Sequence, residues 1–178
     1  MAKAVDQGTV DQMISLLRQP DWNRWSEGIF DDNTLIEGLT AVYTQAVDTD
    51  DEQLRAMAIW AMGETALTEF VPIIIEDLEL DPFIACYALG KIPSEDGIHA
   101  LIGMLDHEDM FVRDSAVWGL GSAPYTDSME EAREDALNAL KDRVHEEKED
   151  WIVVNIQAAI TLIETGVATT PGLSRSTQ

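Results

Sequence analysis

The sequence predicts an all-α chain: a solenoid of about four stacked helical pairs behind a single N-terminal helix. Three observations predict it. Apolar residues recur at helical spacing almost throughout the 178 residues, and no segment keeps the alternation of a strand. The breaks between periodic segments carry helix-end residues. A short pattern also repeats. "LRAMAIWAMGE" (Leu54 to Glu64), "DPFIACYALGK" (Asp81 to Lys91) and "RDSAVWGLGS" (Arg113 to Ser122) align on Gly63, Gly90 and Gly121. Three positions before each glycine stands an aromatic, Trp60, Tyr87 or Trp118, and five before stands Ala58, Ala85 or Ala116. A degenerate fourth copy, "VNIQAAITLIE" (Val154 to Glu164), keeps Ala158 and Leu162 but has Ile163 for the glycine and Ile160 for the aromatic. The anchors lie about 27, 31 and 42 residues apart, within or close to the periods of helical-pair arrays.

In chain order, the periodicity places an N-terminal helix near 9–19, followed by "QPDWNRWSEGIFDD", a loop carrying two tryptophans. Helical pairs follow near 33–47 with 51–63, 67–79 with 81–90, 94–105 with 108–120, and 128–146 with 149–165. Pro72 falls in a first helical turn, where its missing N–H does little harm. Asp81 and Pro82 read as N-cap and first helical residue, Gly90 and Pro93 as a stop, and Ser128 with Glu131 as a capping box. Residues 1–166 therefore form one repeat domain, with pairs spanning 33–63, 67–90, 94–121 and 128–165. Residues 167–178 lack helical pattern and read as a mobile tail.

The second helix of each pair shows two faces. One is core: Val112, Ala116 and Leu120, matched by Leu54, Ala58 and Met62, by Ala85 and Leu89, and by Val154, Ala158 and Leu162. The small middle residue lets neighbouring helices approach closely. The other face reads Gln53, Ala56, Trp60; Leu80, Phe83, Tyr87; Phe111, Asp114, Trp118; and Val153, Ile156, Ile160. Stacked pairs would set these side by side as an aromatic and aliphatic strip. Two readings of the strip stay open, gap-filling between repeats and partner binding. The binding reading selects Trp60, Phe83, Tyr87, Phe111, Asp114 and Trp118. For Arg55 and Arg113 a structural reading is expected, as braces paired with a nearby acid such as Asp51 or Asp109.

Charge narrows the partners. There are 34 acidic and 11 basic residues, a formal net charge of -23. Such a surface repels phosphate backbones, so nucleic acid is not expected, whereas a protein with a basic patch suits it. A salt-rich surrounding would suit it too. The single Cys86 has no partner for an internal disulfide and reads as a small core residue. "MAKAVDQGTV" lacks the apolar core of a secretory leader, and the run around "FVPIII" is too short to span a bilayer. A cytoplasmic protein that does not insert into membranes is the expectation.

The set Val112, Arg113, Ala116, Leu120 and Gly121, echoed by Leu54, Arg55, Ala58, Met62 and Gly63, resembles the HEAT-like repeats of phycobilisome lyases and many unrelated proteins. The resemblance covers roughly residues 33 to 165. It implies a superhelix whose motif-bearing helices line the concave side, with the position three before the glycine often exposed. Pro82 and Asn155 stand where the motif has Arg.

Chemistry is sparsely encoded. His107-Glu108 and His145-Glu146 invite comparison with HEAT-like hydroxylases that hold iron by His-Glu pairs, but both stand near helix ends and the chain has only three His. No metal or other cofactor is expected. No nucleophile triad, phosphate loop or cysteine cluster is present, and the acidic runs "DTDDE" and "EEKED" lack calcium-loop spacing. The resulting expectation is a non-enzymatic interaction, scaffold or chaperone-like module. The alternative, implied by resemblance alone, is a subunit of a heterodimeric bilin lyase or isomerase acting on a bilin-carrying protein.

Overall fold

The computed structural model describes residues 5–19 and 30–166. Their regular structure is entirely helical: α1 (Gln7–Leu17), α2 (Asp32–Asp48), α3 (Glu52–Thr65), α4 (Val71–Asp77), α5 (Pro82–Leu89), α6 (Glu95–Met104), α7 (Met110–Ser122), α8 (Glu130–Glu146) and α9 (Asp150–Thr165). The chain is an all-α solenoid. The tail expected at 167–178 and most of the tryptophan-bearing loop lie outside the described residues.

The helix starts follow from local chemistry. Asp6, Asp31, Asp51, Asp81, Ser94 and Asp109 each place a side-chain oxygen on a backbone N–H of the first turn, satisfying a donor the helix leaves orphaned. Two starts differ from expectation. A 3-10 turn, Thr68–Phe70, leads into α4, so that helix begins later than residue 67. Another, Asp127–Met129, precedes α8; Ser128 lies inside it, with its hydroxyl on that of Thr126, and no capping box forms.

The pairs α2/α3, α4/α5, α6/α7 and α8/α9 each pack together, and α1 lies against α2 and α3. Across pairs, α3, α5, α7 and α9 stack in one layer, while α4, α6 and α8 stack in the other. The core runs continuously between the layers, from Met13 and Leu39 through Ala58, Ala85 and Ala116 to Ala136 and Ile156. Cys86 belongs to it, and burial pushes its thiol pKa up to about 12.

Glycine permits the close stacking of the second layer. A Cβ on Gly63 would lie 2.6 Å from Ala88 Cα, and one on Gly90 would lie 2.6 Å from Gly119 Cα. Gly63 itself does not stop its helix, which runs on to a left-handed cap at Ala66. At Gly63 and Gly90 the repeated glycine therefore marks a backbone contact with the next unit.

Both motif arginines reach forward to the next pair. Arg55 Nη1 donates to Asp77 Oδ1 at 2.8 Å, at the end of α4. Arg113 Nε and Nη2 donate to Glu147 Oε2 and Oε1 at 2.8 and 2.9 Å, just beyond α8. The acids expected nearby are otherwise engaged: Asp51 and Asp109 cap their own helices, and Asp51 also pairs with Arg18. Long guanidinium stems carry the charge past the local turn to a more buried acid. Glu147 is the denser hub, accepting also from Arg143 Nη2 at 3.0 Å and from the N–H groups of Lys148 and Glu149. These donors hold its carboxyl well below the usual carboxylate range, with Arg113 the main cause. Asp77 moves the other way, because burial outweighs Arg55 and the Tyr43 hydroxyl that also donates to it. Its Oδ2 is buried with no hydrogen-bond partner among the described residues.

The fourth copy keeps Ala158 and Leu162 buried, as expected, but departs at other positions. Val154, aligned with core Leu54 and Val112, is 52% exposed, while Ile156, aligned with the strip, is fully buried. Ile152, Ile156, Ala159 and Ile163 face the main core instead. Their spacing of three to four residues is the larger aliphatic stripe of α9, and burial follows that stripe in place of the motif.

Candidate functional site

The second layer presents its aromatic residues in two tiers. The first tier lies at the helix starts. Phe83, Phe111 and Trp151 are each the second residue of α5, α7 and α9, and are 59%, 56% and 40% exposed. The Phe111 and Trp151 rings lie 6.2 Å apart, tilted by 40°. On α3 the corresponding residue is Gln53, so the aromatic row spans the last three pairs.

The second tier lies one to two turns further along the same helices. Tyr87 and Trp118, both half-buried, stack with ring centroids 4.8 Å apart and planes 12° from parallel. Trp118 also covers Ala158 and Leu162 of α9. It thus joins three successive helices of the layer while keeping part of its ring at the surface. Tyr87 is fixed at its edge, where its hydroxyl donates to Glu64 at 3.0 Å, and Lys91 Nζ sits 5.2 Å from its ring centroid while pairing with Glu64.

Other strip residues are placed differently. Asp114 is half-buried, and its Oδ1 accepts from Asn155 Nδ2 at 2.7 Å, tying α7 to α9. Burial raises its carboxyl above the ordinary value, against the pull of Asn155. Trp60 is half-buried and packs against the main core. With Leu17, Gln53, Ala56, Met57 and Ile84 it lines a groove of about 270 Å³ between α1, α3 and α5. On α9 the exposed apolar residues are Trp151 and Val154, where the alignment had placed Val153 and Ile156. Trp151 was not singled out by the repeat pattern. Its signal is positional: it stands two residues after the helix start expected at 149, as Phe83 does after that at 81, while Phe111 stands three after that at 108.

The remaining sequence candidates take local roles. His107 Nδ1 accepts from the Asp109 N–H at 3.0 Å, a turn contact. His99 Nε2 lies 3.2 Å from an Asp135 oxygen at the surface. Among the described residues, no group of three or more His, Cys, Asp or Glu side chains is arranged to hold a metal, and no helix is long and apolar enough to cross a membrane.

Residues 82–163, from the start of α5 into the last turns of α9, match the family model for HEAT repeats. None of the curated proteins matches the chain. The match supports a HEAT-like repeat protein, and its span contains Phe83, Tyr87, Phe111, Trp118 and Trp151.

Proposed function

We propose that the chain is a non-enzymatic protein-interaction module, a scaffold or chaperone-like part, that takes its partner along the aromatic strip of the second layer. HEAT repeats generally mediate protein–protein interaction. The observation that carries the reading is the row formed by Phe83, Phe111 and Trp151, which repeats one exposed aromatic per helix across three stacked helices. Leaving these rings about half exposed forgoes roughly half of the about 1.5–3 kcal/mol that full burial of such a side chain gives. Phe111 and Trp151 make the row contiguous across its last two helices, and contiguous exposed apolar surface is the kind that marks an interaction site. The Tyr87–Trp118 stack lies behind the row and supplies a rigid floor with little rotamer entropy left to lose. Close backbone contact at Gly63 and Gly90 draws this layer together, which favours curvature toward it and a partner held on the concave side.

Replacing Phe83 and Phe111 together by serine tests this. Both are exposed, so the change should alter stability by only about 0.5 kcal/mol per site. Partner affinity should fall by more than about 1 kcal/mol, roughly fivefold or more, as for interface anchors. Undiminished partner capture by the folded double variant would overturn the reading. Bilin absorbance acquired on co-expression with a pigment pathway would overturn it in favour of a bilin lyase subunit.

A further inference from the structure

We infer that the solenoid is two ionically tied blocks, α1–α5 and α6–α9, meeting at an apolar joint that opens at low ionic strength and closes as salt rises, independently of what the aromatic row binds.

The repeat motif decides where the joint falls. Arg55 braces α3 to Asp77 of the next pair, and Arg113 braces α7 to Glu147 beyond α8. In the copy between them the motif position is Pro82, whose ring has nothing to donate, so α5 sends no such brace forward. Other ties keep to the same division. Tyr43 also reaches Asp77, and Tyr87 and Lys91 both reach Glu64, all on the first side. Asn155 donates to Asp114, Arg143 to Asp106, and His99 lies against Asp135, all on the second. None of these ties joins α5 to α6 or α7. Lys91 and Arg113, one on each side of the joint, both turn to acids of their own block.

What crosses the joint is close packing. Gly90 lies against the Gly119 backbone, Leu89 reaches α6 at Gly97, and Tyr87 stacks on Trp118. Such contact is non-directional and sets no opposite charge against long-range repulsion. That repulsion is large. Among the described residues, 5–19 and 30–92 hold 15 acidic and 3 basic residues, and 93–166 hold 17 and 5, a net charge of -12 for each block. With packed helices about 8–10 Å apart, blocks of two pairs have centres roughly 20 Å from each other. The Debye length is about 30 Å at 0.01 M salt and about 8 Å at 0.15 M, so each block feels the other's charge in full only when salt is low. Inside a block, ion pairs hold opposite charges in direct contact against the same repulsion. The joint, which none of those pairs crosses, yields first. Phe83 lies on the first block and Phe111 with Trp151 on the second, so opening widens the row between them.

Cys86 reports the joint. It is the chain's single cysteine, is fully buried on α5, and its carbonyl oxygen lies 2.9 Å from where a Cβ on Gly119 would stand. The full-length chain would be labelled with a neutral maleimide, without denaturant, at about 0.01 M and about 1 M salt, where the Debye length is about 30 and about 3 Å. Cys86 should label at least about tenfold faster in the low salt, as local opening would allow. Two variants in a Cys86→Ala background, Ala58→Cys on α3 and Ala159→Cys on α9, put a thiol inside each block, where both alanines are fully buried. Checked for an unchanged Tm in high salt, both should change by about twofold or less. Should one of them fail to fold, the other still supplies the comparison. Cys86 labelling indifferent to salt would overturn the inference. So would equal acceleration at all three thiols, because the array would then open as a whole. Acceleration confined to Ala58→Cys or Ala159→Cys would overturn it too, by placing the opening inside a block.

Discussion

Replacing Glu147 by alanine should lower the unfolding free energy by about 3–5 kcal/mol, the range for removing one partner of a buried ion pair. Glu147 has a fully buried carboxylate that ends the Arg113 guanidinium and anchors Arg143. Without it, Arg113 keeps only the His107 and Glu108 carbonyls as hydrogen-bond partners, at 2.9 and 3.1 Å, and a largely buried charge loses its directly bonded carboxylate. The same guanidinium links the turn before α7 to the turn after α8, so the loss should loosen the last two pairs first, as nearest-neighbour arrays do. Thermal unfolding should shift down by on the order of 10 °C. The pH dependence has a definite sign. Because the folded-state carboxyl titrates below its unfolded value, its stabilisation is complete above the ordinary carboxylate pKa of about 4 and is lost as pH falls from there toward the folded value. The gap between parent and Glu147→Gln should therefore be constant near neutrality and narrow only in acid. A gap that widens in acid would reject this assignment.

Gly90→Ala should cost at least about 1–3 kcal/mol through overpacking, because the new methyl would meet backbone that cannot rotate away. Its ideal position lies 2.6, 2.9 and 3.1 Å from the Cα, O and C of Gly119. Gly103→Ala supplies the contrast. Nothing lies within 4 Å of a Cβ there, inside α6, so the variant should gain about 0.5–1 kcal/mol from helix propensity. Chemical denaturation of both variants checks the pair. A neutral Gly90→Ala would mean that α5 and α7 are not held backbone to backbone.

These two sites show what was legible in the sequence. Gly63 and Gly90 aligned their pairs correctly in kind, because close helix approach demands small residues at fixed offsets and such a demand is written locally. Ala58, Ala85 and Ala116 are fully buried for the same reason. The ion partners were not legible. Asp77 and Glu147 lie 22 and 34 residues from their arginines, and no local spacing rule reaches that far, whereas nearby Asp51 and Asp109 offered a cheaper pairing on paper. On α9 the motif keeps Ala158 and Leu162 buried but yields the main core to the Ile152, Ile156, Ile163 stripe. Burial energy follows methylene count, and the stripe carries more of it than Ala158 and Val154. Of the strip, Phe83 and Phe111 were readable as a face, but Trp151 required knowing where α9 begins.

Amide hydrogen exchange of the full chain, with and without a captured protein partner, tests most directly that the second layer carries the binding surface and the interlayer core carries the fold. Binding should slow exchange at the starts of α5, α7 and α9, around Phe83, Phe111 and Trp151, and leave α4, α6 and α8 unchanged. Protection confined to α4, α6 and α8 would contradict it.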